Sequence, residues 1–178
     1  MRSICRRQFV ATLAAAVPVL ACARPLRAAT RDVRALNFVH THTGEKLSVE
    51  YAQGDHYLPH ALDTVNHFLR DFRTGDVHAI DQGLLDLLHG LTRLTETRKP
   101  FQVISGYRSP NTNAMLRRGS EGVAGRSLHM KGQAIDIRLA DIPLAKLRTA
   151  ALAVGRGGVG YYPASDFVHV DTGRVRHW

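Results

Sequence analysis

Apolar residues recur along this chain with two different periods. From 34 to 39 and from 46 to 51 they alternate with polar ones as in half-buried strands, and Thr43-Gly44-Glu45 between the two runs supplies hairpin chemistry. Leu58-Pro59 opens a helix predicted to run to about Arg73, with Gly75 just past its end. Asp81 is placed to cap a second helix, in which Leu84, Leu88, Leu91 and Leu94 recur at helical spacing until Pro100 ends the pattern. Phe101–Ser105 reads as a buried strand closed by Gly106, and 110 to 118 as a short helix. The stretch 134 to 139 alternates again: Ile135, Ile137 and Leu139 face one way, while Ala134, Asp136 and Arg138 face the other. Pro143 starts a third main helix that the glycines of 155 to 160 stop, and 159 to 162 and 167 to 172 read as the last two strands. Helices first and strands gathered later predict an α+β fold, with helices packed on a mainly antiparallel sheet.

The N-terminus departs from this patterning. Arg2, Arg6 and Arg7, with no acid among them, precede an apolar run from 9 to 23 that has no polar face and is too short and alanine-rich for a membrane span. Arg6-Arg7-Gln8-Phe9-Val10 fits the twin-arginine export pattern. The expectation is a leader over 1 to 29, cleaved near Ala29, and one soluble periplasmic domain over 30 to 178 that is not held in a membrane. A minority alternative is lipidation at Cys22, because Val19-Leu20-Ala21-Cys22 weakly resembles a lipoprotein box in which Leu20 fits poorly.

This leader changes the reading of composition. Both cysteines, Cys5 and Cys22, fall inside it, so the mature chain has no disulfide and any metal must rest on His, Asp or Glu. Arg2, Arg6, Arg7, Arg24 and Arg27 also fall inside it, unbalanced by any acid, and removing them lowers the net charge from +9 to +4. That balance suits an anionic polymer, while the absence of interleaved basic and aromatic residues argues against nucleic acid as a partner. A mature chain of about 150 residues buries roughly 68–70% of its unfolded surface without staples.

Three segments carry candidate chemistry: Ser105-Gly106-Tyr107-Arg108-Ser109, the run from Ser127 to Asp136, and Asp166-Phe167-Val168-His169-Val170-Asp171. Asp136 lies on the polar face of its strand, and His129 lies seven residues earlier, across a turn at Gly132. His169 sits mid-strand with Phe167 and Asp171 on its own face. Two imidazoles and a carboxylate supply three ligands of a tetrahedral zinc site and leave the fourth position for water, the catalytic rather than the structural pattern. A strand histidine is as readily a surface or hydrogen-bonded residue, and the chain has ten histidines, so the spacing by itself leaves both readings open.

These segments resemble the zinc metallopeptidase superfamily that includes lysostaphin-type enzymes, D-alanyl-D-alanine peptidases and hedgehog domains, in which a His-(six residues)-Asp segment and a later His bind zinc. From about residue 35 to the C-terminus the chain is most similar to the murein endopeptidase K-like branch. Supporting stretches include His42-Thr43-Gly44-Glu45, Asn66-His67-Phe68, Thr97-Arg98-Lys99-Pro100, Gly157-Gly158-Val159-Gly160-Tyr161-Tyr162-Pro163 and His169-Val170-Asp171-Thr172-Gly173. The resemblance implies one zinc per chain on His129, Asp136 and His169, and the stem peptides of peptidoglycan as the partner whose cross-links are cut. It also implies a general base. Superfamily carboxypeptidases place an acid three residues before the last zinc His, where Asp166 stands, so Asp166 is the first choice. Asp171 is the second, because it shares the face of His169; Asp166 reaches that face only if Pro163-Ala164-Ser165 turns the chain. For either, the alternative role is to orient a ligand imidazole. Arg108 would bind a substrate carboxylate or the developing oxyanion, and Ser127 would contact substrate. Two rival functions share the fold: trimming of single D-alanyl-D-alanine ends, and a zinc-containing wall-binding domain without activity.

Overall fold

The computed structural model describes residues 32–120 and 122–178; the expected leader, its paired arginines and both cysteines lie outside the described residues. The strands are β1 (Val33–His40), β2 (Lys46–Gln53), β3 (His56–Tyr57), β4 (Phe101–Ser105), β5 (Ala134–Arg138), β6 (Gly158–Tyr162), β7 (Phe167–Asp171) and β8 (Arg176–His177). The helices are α1 (Pro59–Phe68), α2 (Gln82–Thr95), α3 (Pro110–Gly119) and α4 (Leu144–Val154). The strands form one sheet in the order β3-β2-β1-β4-β5-β7-β6-β8, in which β1 with β4 and β6 with β8 run parallel and the other neighbours antiparallel. This is the expected α+β architecture.

Local signals place the elements. Gly44, at φ +73°, turns the chain between β1 and β2, and the Asp81 carboxylate caps α2 by accepting from the Gly83 amide at 2.8 Å. Leu84, Leu88 and Leu91 of α2 are fully buried against the sheet, each worth about 1.5–3 kcal/mol by transfer from water, whereas Leu94 in the last turn is 54% exposed. In the centre of the sheet, Ile135, Ile137, Val168 and Val170 join the apolar core beneath the helices. Parity therefore puts Asp136 and His169 on the opposite face. Among the described residues no helix is long and apolar enough to cross a membrane.

Two features differ from expectation. The first helix ends at Phe68, not near Arg73. Continuing it would pair the Arg73 amide with the Leu69 carbonyl. That carbonyl instead accepts from the Tyr107 amide at 2.8 Å, and the Arg73 amide donates to the buried Asp71 carboxylate at 3.0 Å. Asp71 also accepts from the Ser109 amide at 2.9 Å. The early end of α1 thus clamps the loop that carries Arg108. The second difference is β3 and β8, two residues each and too short to show periodicity.

Candidate metal centre

The sheet itself brings the site together. Asp136 and His169 are direct cross-strand partners in the β5–β7 ladder, and Ser105 stands opposite Asp136 on β4. His129 arrives from outside the sheet, on a 3-10 turn (Leu128–Lys131) closed by Gly132 at φ +65°. A Cβ at residue 132 would lie 2.1 Å from the Ala79 carbonyl oxygen, so only glycine fits this return of the chain. The turn is stitched to the β4 loop by the Arg108 amide, which donates to the His129 carbonyl at 3.2 Å.

Three atoms converge: His129 Nε2, His169 Nδ1 and Asp136 Oδ1. Their separations are 3.2 Å between the imidazoles, 3.3 Å from His129 to Asp136 and 2.8 Å from His169 to Asp136. A tetrahedron whose ligands stand 2.0–2.2 Å from its centre has edges of about 3.3–3.6 Å. The His129–Asp136 edge falls in this range, the imidazole pair at 3.2 Å falls just short of it, and the third is a hydrogen bond. Among the described residues this is the one group of three such side chains that could hold a metal ion.

Outer partners fix which nitrogens face the centre. His129 Nδ1 donates to the Gly106 carbonyl at 2.8 Å, leaving Nε2 as the lone-pair atom. His169 Nε2 donates to Asp171 Oδ2 at 3.1 Å, so that a neutral His169 would carry its lone pair on Nδ1; in the metal-free protein Nδ1 is protonated as well and donates to Asp136 Oδ1 at 2.8 Å. Asp171 is itself fully buried and saturated. Its Oδ1 accepts from the amides of Gly158 and Gly173, each at 2.8 Å, and from Arg176 Nη1 at 3.1 Å; its Oδ2 accepts from Arg176 Nη2 at 2.6 Å. Burial pushes the Asp171 carboxyl up, but the His169, Arg176 and amide bonds outweigh it and hold Asp171 well below the usual carboxylate range. Burial likewise opposes ionisation of Asp136, yet His129 and His169 hold it well below that range. Burial pulls His169 down, but its bonds to Asp136 and Asp171 outweigh this, and its pKa is pushed up to about 9.

A cavity of roughly 340 Å³ opens over these three side chains, and Arg108 and Ser127 line it. Arg108 is mostly buried, with Nη2 3.7 Å from Asp136 Oδ2 and its Nε without a partner among the described residues. Ser127 makes no capping bond with the turn it precedes. Asp166 is not brought into this cavity. Pro163–Ser165 does turn the chain, as expected, but the turn closes on Asp166 in the left-handed region at φ +53°. Its side chain is 63% exposed, and Oδ2 accepts from Arg138 Nη1 at 2.8 Å.

Tyr162 also lines the cavity, and so do Arg176 and Trp178, which were not anticipated. Trp178 lies 5.4 Å from the His169 ring, centroid to centroid, and its Nε1 donates to the Tyr162 hydroxyl at 2.7 Å. A signal for them exists in Gly158 and Gly160, alternate residues on the site face of β6. A Cβ at 158 would meet the Arg176 guanidinium at 2.5 Å, and one at 160 the Trp178 indole at 2.8 Å. Glycines spaced two apart in a strand mark a face that a neighbour fills.

Comparison with known proteins decides the family. The family described as peptidoglycan L,D-endopeptidase MepK matches residues 28–178. The chain belongs to this metallopeptidase family. The peptidoglycan L,D-endopeptidase MepK of Escherichia coli K12 is 50% identical over 145 residues, 82% of this chain and 80% of the relative. The probable MepK of Haemophilus influenzae is 45% identical over 150 residues, 84% of this chain and 81% of the relative. The branch on which the resemblance rested is therefore the right one.

Proposed function

We propose that this protein is a zinc-dependent peptidoglycan L,D-endopeptidase, exported by its leader over 1 to 29 and soluble in the periplasm as a domain over 30 to 178. The observation that carries the reading is the preorganised triangle of His129, Asp136 and His169, with both imidazole tautomers set by outer hydrogen bonds, in a chain half identical to a MepK. Two neutral nitrogens and one carboxylate suit zinc, and the set leaves a coordination position open towards the cavity. When bound, zinc would activate water and polarise the scissile carbonyl.

The chain's own residues supply the rest. Arg108, beside the metal ligand Asp136, directs hydrogen-bond donors at the place where negative charge grows on the scissile carbonyl. Ser127, which lines the cavity and makes no capping bond, offers its hydroxyl to the substrate backbone. Asp171 keeps the His169 proton on Nε2, so that Nδ1 faces the metal. Asp166 is a turn residue: the left-handed conformation suits Asp and Asn, and the carboxylate serves Arg138. The L,D-endopeptidase activity of the chain's relatives favours an endopeptidase over an enzyme that trims free ends.

Purified, zinc-loaded mature protein given isolated sacculi is expected to resolve dimers joined through L,D-bonds, read by chromatography and mass spectrometry, while D,D-linked dimers persist. A chelator stops the reaction and zinc restores it. Selective loss of D,D-linked dimers, or no turnover by protein holding one zinc per chain, would overturn the assignment.

The raised pKa of His169 gives a pH dependence with a defined sign. Without metal, His169 holds its proton up to about pH 9, and metal binding must expel it. Zinc affinity is expected to rise about tenfold per pH unit between pH 7 and 8.5, measured against a competing chelator, because one proton is released per ion. The metal-free protein behaves oppositely. The stability contributed by protonated His169 is complete below its ordinary value of 6.5 and is lost as pH rises through about 9. A pH-independent affinity would contradict the protonated-imidazole account.

A further inference from the structure

Charge does not balance among the described residues that line the cavity. Three arginines line it, Arg108, Arg126 and Arg176, against a single acid among the described lining residues, Asp136. Arg176 is committed to Asp171 through both terminal nitrogens, and its guanidinium lies 5.0 Å from the Trp178 ring. Arg108 is buried and set against Asp136, which is already shared between two imidazoles. Arg126 is different: it is exposed, and among the described residues no acid or hydrogen-bond acceptor engages its side chain.

The backbone that presents Arg126 is anchored on both sides. Asn113 Nδ2, from α3, donates to the Ala124 carbonyl at 3.2 Å, and Ser127 follows directly as the buried residue that begins the His129 turn. Gly125 lies against a further guanidinium, that of Arg117; a Cβ there would stand 3.3 Å from its Cζ. Arg117 also lacks an acidic partner among the described residues. Two guanidiniums without an acidic partner among the described residues, Arg126 lining the cavity and Arg117 against the loop that presents it, make a positive potential aimed at what enters. A guanidinium is planar and pairs with a carboxylate through two parallel hydrogen bonds.

The proposed reaction says which carboxylate is near. In an L,D-bond the scissile nitrogen belongs to the D-configured centre. Where that centre is the cross-linking arm of a diamino diacid, its carboxyl is outside the main chain and stays free, two bonds from the scissile nitrogen. We propose that Arg126, reinforced by Arg117, is the subsite that binds this carboxylate on the leaving-amine side of the cut bond. The inference rests on the L,D-endopeptidase reading and adds the substrate group that Arg126 selects. It separates the two cavity arginines by role: Arg108 serves the carbonyl side beside the metal ligands, and Arg126 the amine side.

The test uses zinc-loaded full-length mature protein and two synthetic L,D-linked dimers that differ only in that carboxyl, free acid against primary amide. A charge-assisted bidentate contact predicts that the wild type prefers the acid by roughly 10–100-fold in kcat/KM, expressed mainly in KM and weakened by salt. Arg126→Gln is expected to bring the acid-to-amide ratio close to one with zinc content unchanged. Arg126→Lys should recover part of the ratio, because it restores the charge but not the planar fork. A ratio that survives in Arg126→Gln, or a wild type indifferent to amidation, overturns the subsite and leaves the endopeptidase reading standing. A wild type that cuts neither dimer while holding zinc overturns both.

Discussion

His129→Ala and His169→Ala are each expected to abolish zinc retention and cleavage of cross-linked muropeptides together. Each imidazole supplies one of the three convergent atoms of the proposed zinc site, and two remaining ligands would not hold the ion against dilution. Loss of an outer partner of a metal ligand already costs 10–100-fold in affinity, and loss of a ligand costs more than that. Turnover should fall by at least about 1,000-fold, since an enzyme without its metal loses both water activation and carbonyl polarisation. The two variants should differ in stability. Removing His129 leaves the Gly106 carbonyl, which accepts its Nδ1 proton at 2.8 Å, without that donor. Removing His169 strips a hydrogen bond from both Asp136 and Asp171 in the centre of the sheet. His169→Ala is therefore expected to be the less stable protein in urea titrations of the metal-free forms below pH 9, where His169 is protonated. Zinc content by elemental analysis and turnover on the same preparations checks the first claim. Zinc retained at one ion per chain in either variant would remove that residue from the ligand set.

What was readable in the sequence follows the range of the interactions involved. Asp136 and His169 could be placed on the polar faces of their strands because strand parity is local, and the Gly132 turn because a glycine between a ligand pair is local too. The overrun of the first helix was not readable: what ends it is the Tyr107 amide taking the Leu69 carbonyl, a bond between residues 38 apart in the chain. The same holds for Arg176 and Trp178. Their strand β8 is two residues long and pairs in parallel with β6, so no period announces it. Only the empty positions Gly158 and Gly160 hint at what fills them. For Asp166, parity and superfamily spacing pointed in opposite directions. The turn at Pro163–Ser165 was correctly required, but its left-handed exit decides where the carboxylate ends up, and that depends on Arg138 across the sheet.

Asp171→Asn is expected to be far more damaging than Asp166→Asn, although both remove one negative charge from near the same strand. Asp171 receives donors on both oxygens: two amides and Arg176 Nη1 on one, Arg176 Nη2 and His169 Nε2 on the other. An asparagine amide placed either way sets its NH₂ against donors. With the NH₂ towards His169, the imidazole relieves the clash only by moving its proton from Nε2 to Nδ1, the atom that faces the metal. The substitution therefore attacks the tautomer needed for zinc binding, not only the fold. Zinc affinity should drop by about 10–100-fold, and the metal-free protein should lose about 2–3 kcal/mol as charge-assisted bonds to Arg176 disappear. Activity at limiting zinc falls with occupancy and recovers in part at saturating zinc. Asp166→Asn, by contrast, keeps a residue at home in the left-handed region and removes a mostly exposed pair with Arg138, worth no more than about 1 kcal/mol. Its zinc affinity and its turnover are expected to stay within about twofold of wild type. Zinc affinity, urea stability and muropeptide turnover measured on both variants separate the roles. If Asp166→Asn holds zinc normally yet turns over nothing, Asp166 is the proton acceptor and its loop must swing from Arg138 to the metal when substrate binds. If Asp171→Asn holds zinc with wild-type affinity and is inactive, Asp171 takes the proton itself and its bond to His169 is incidental.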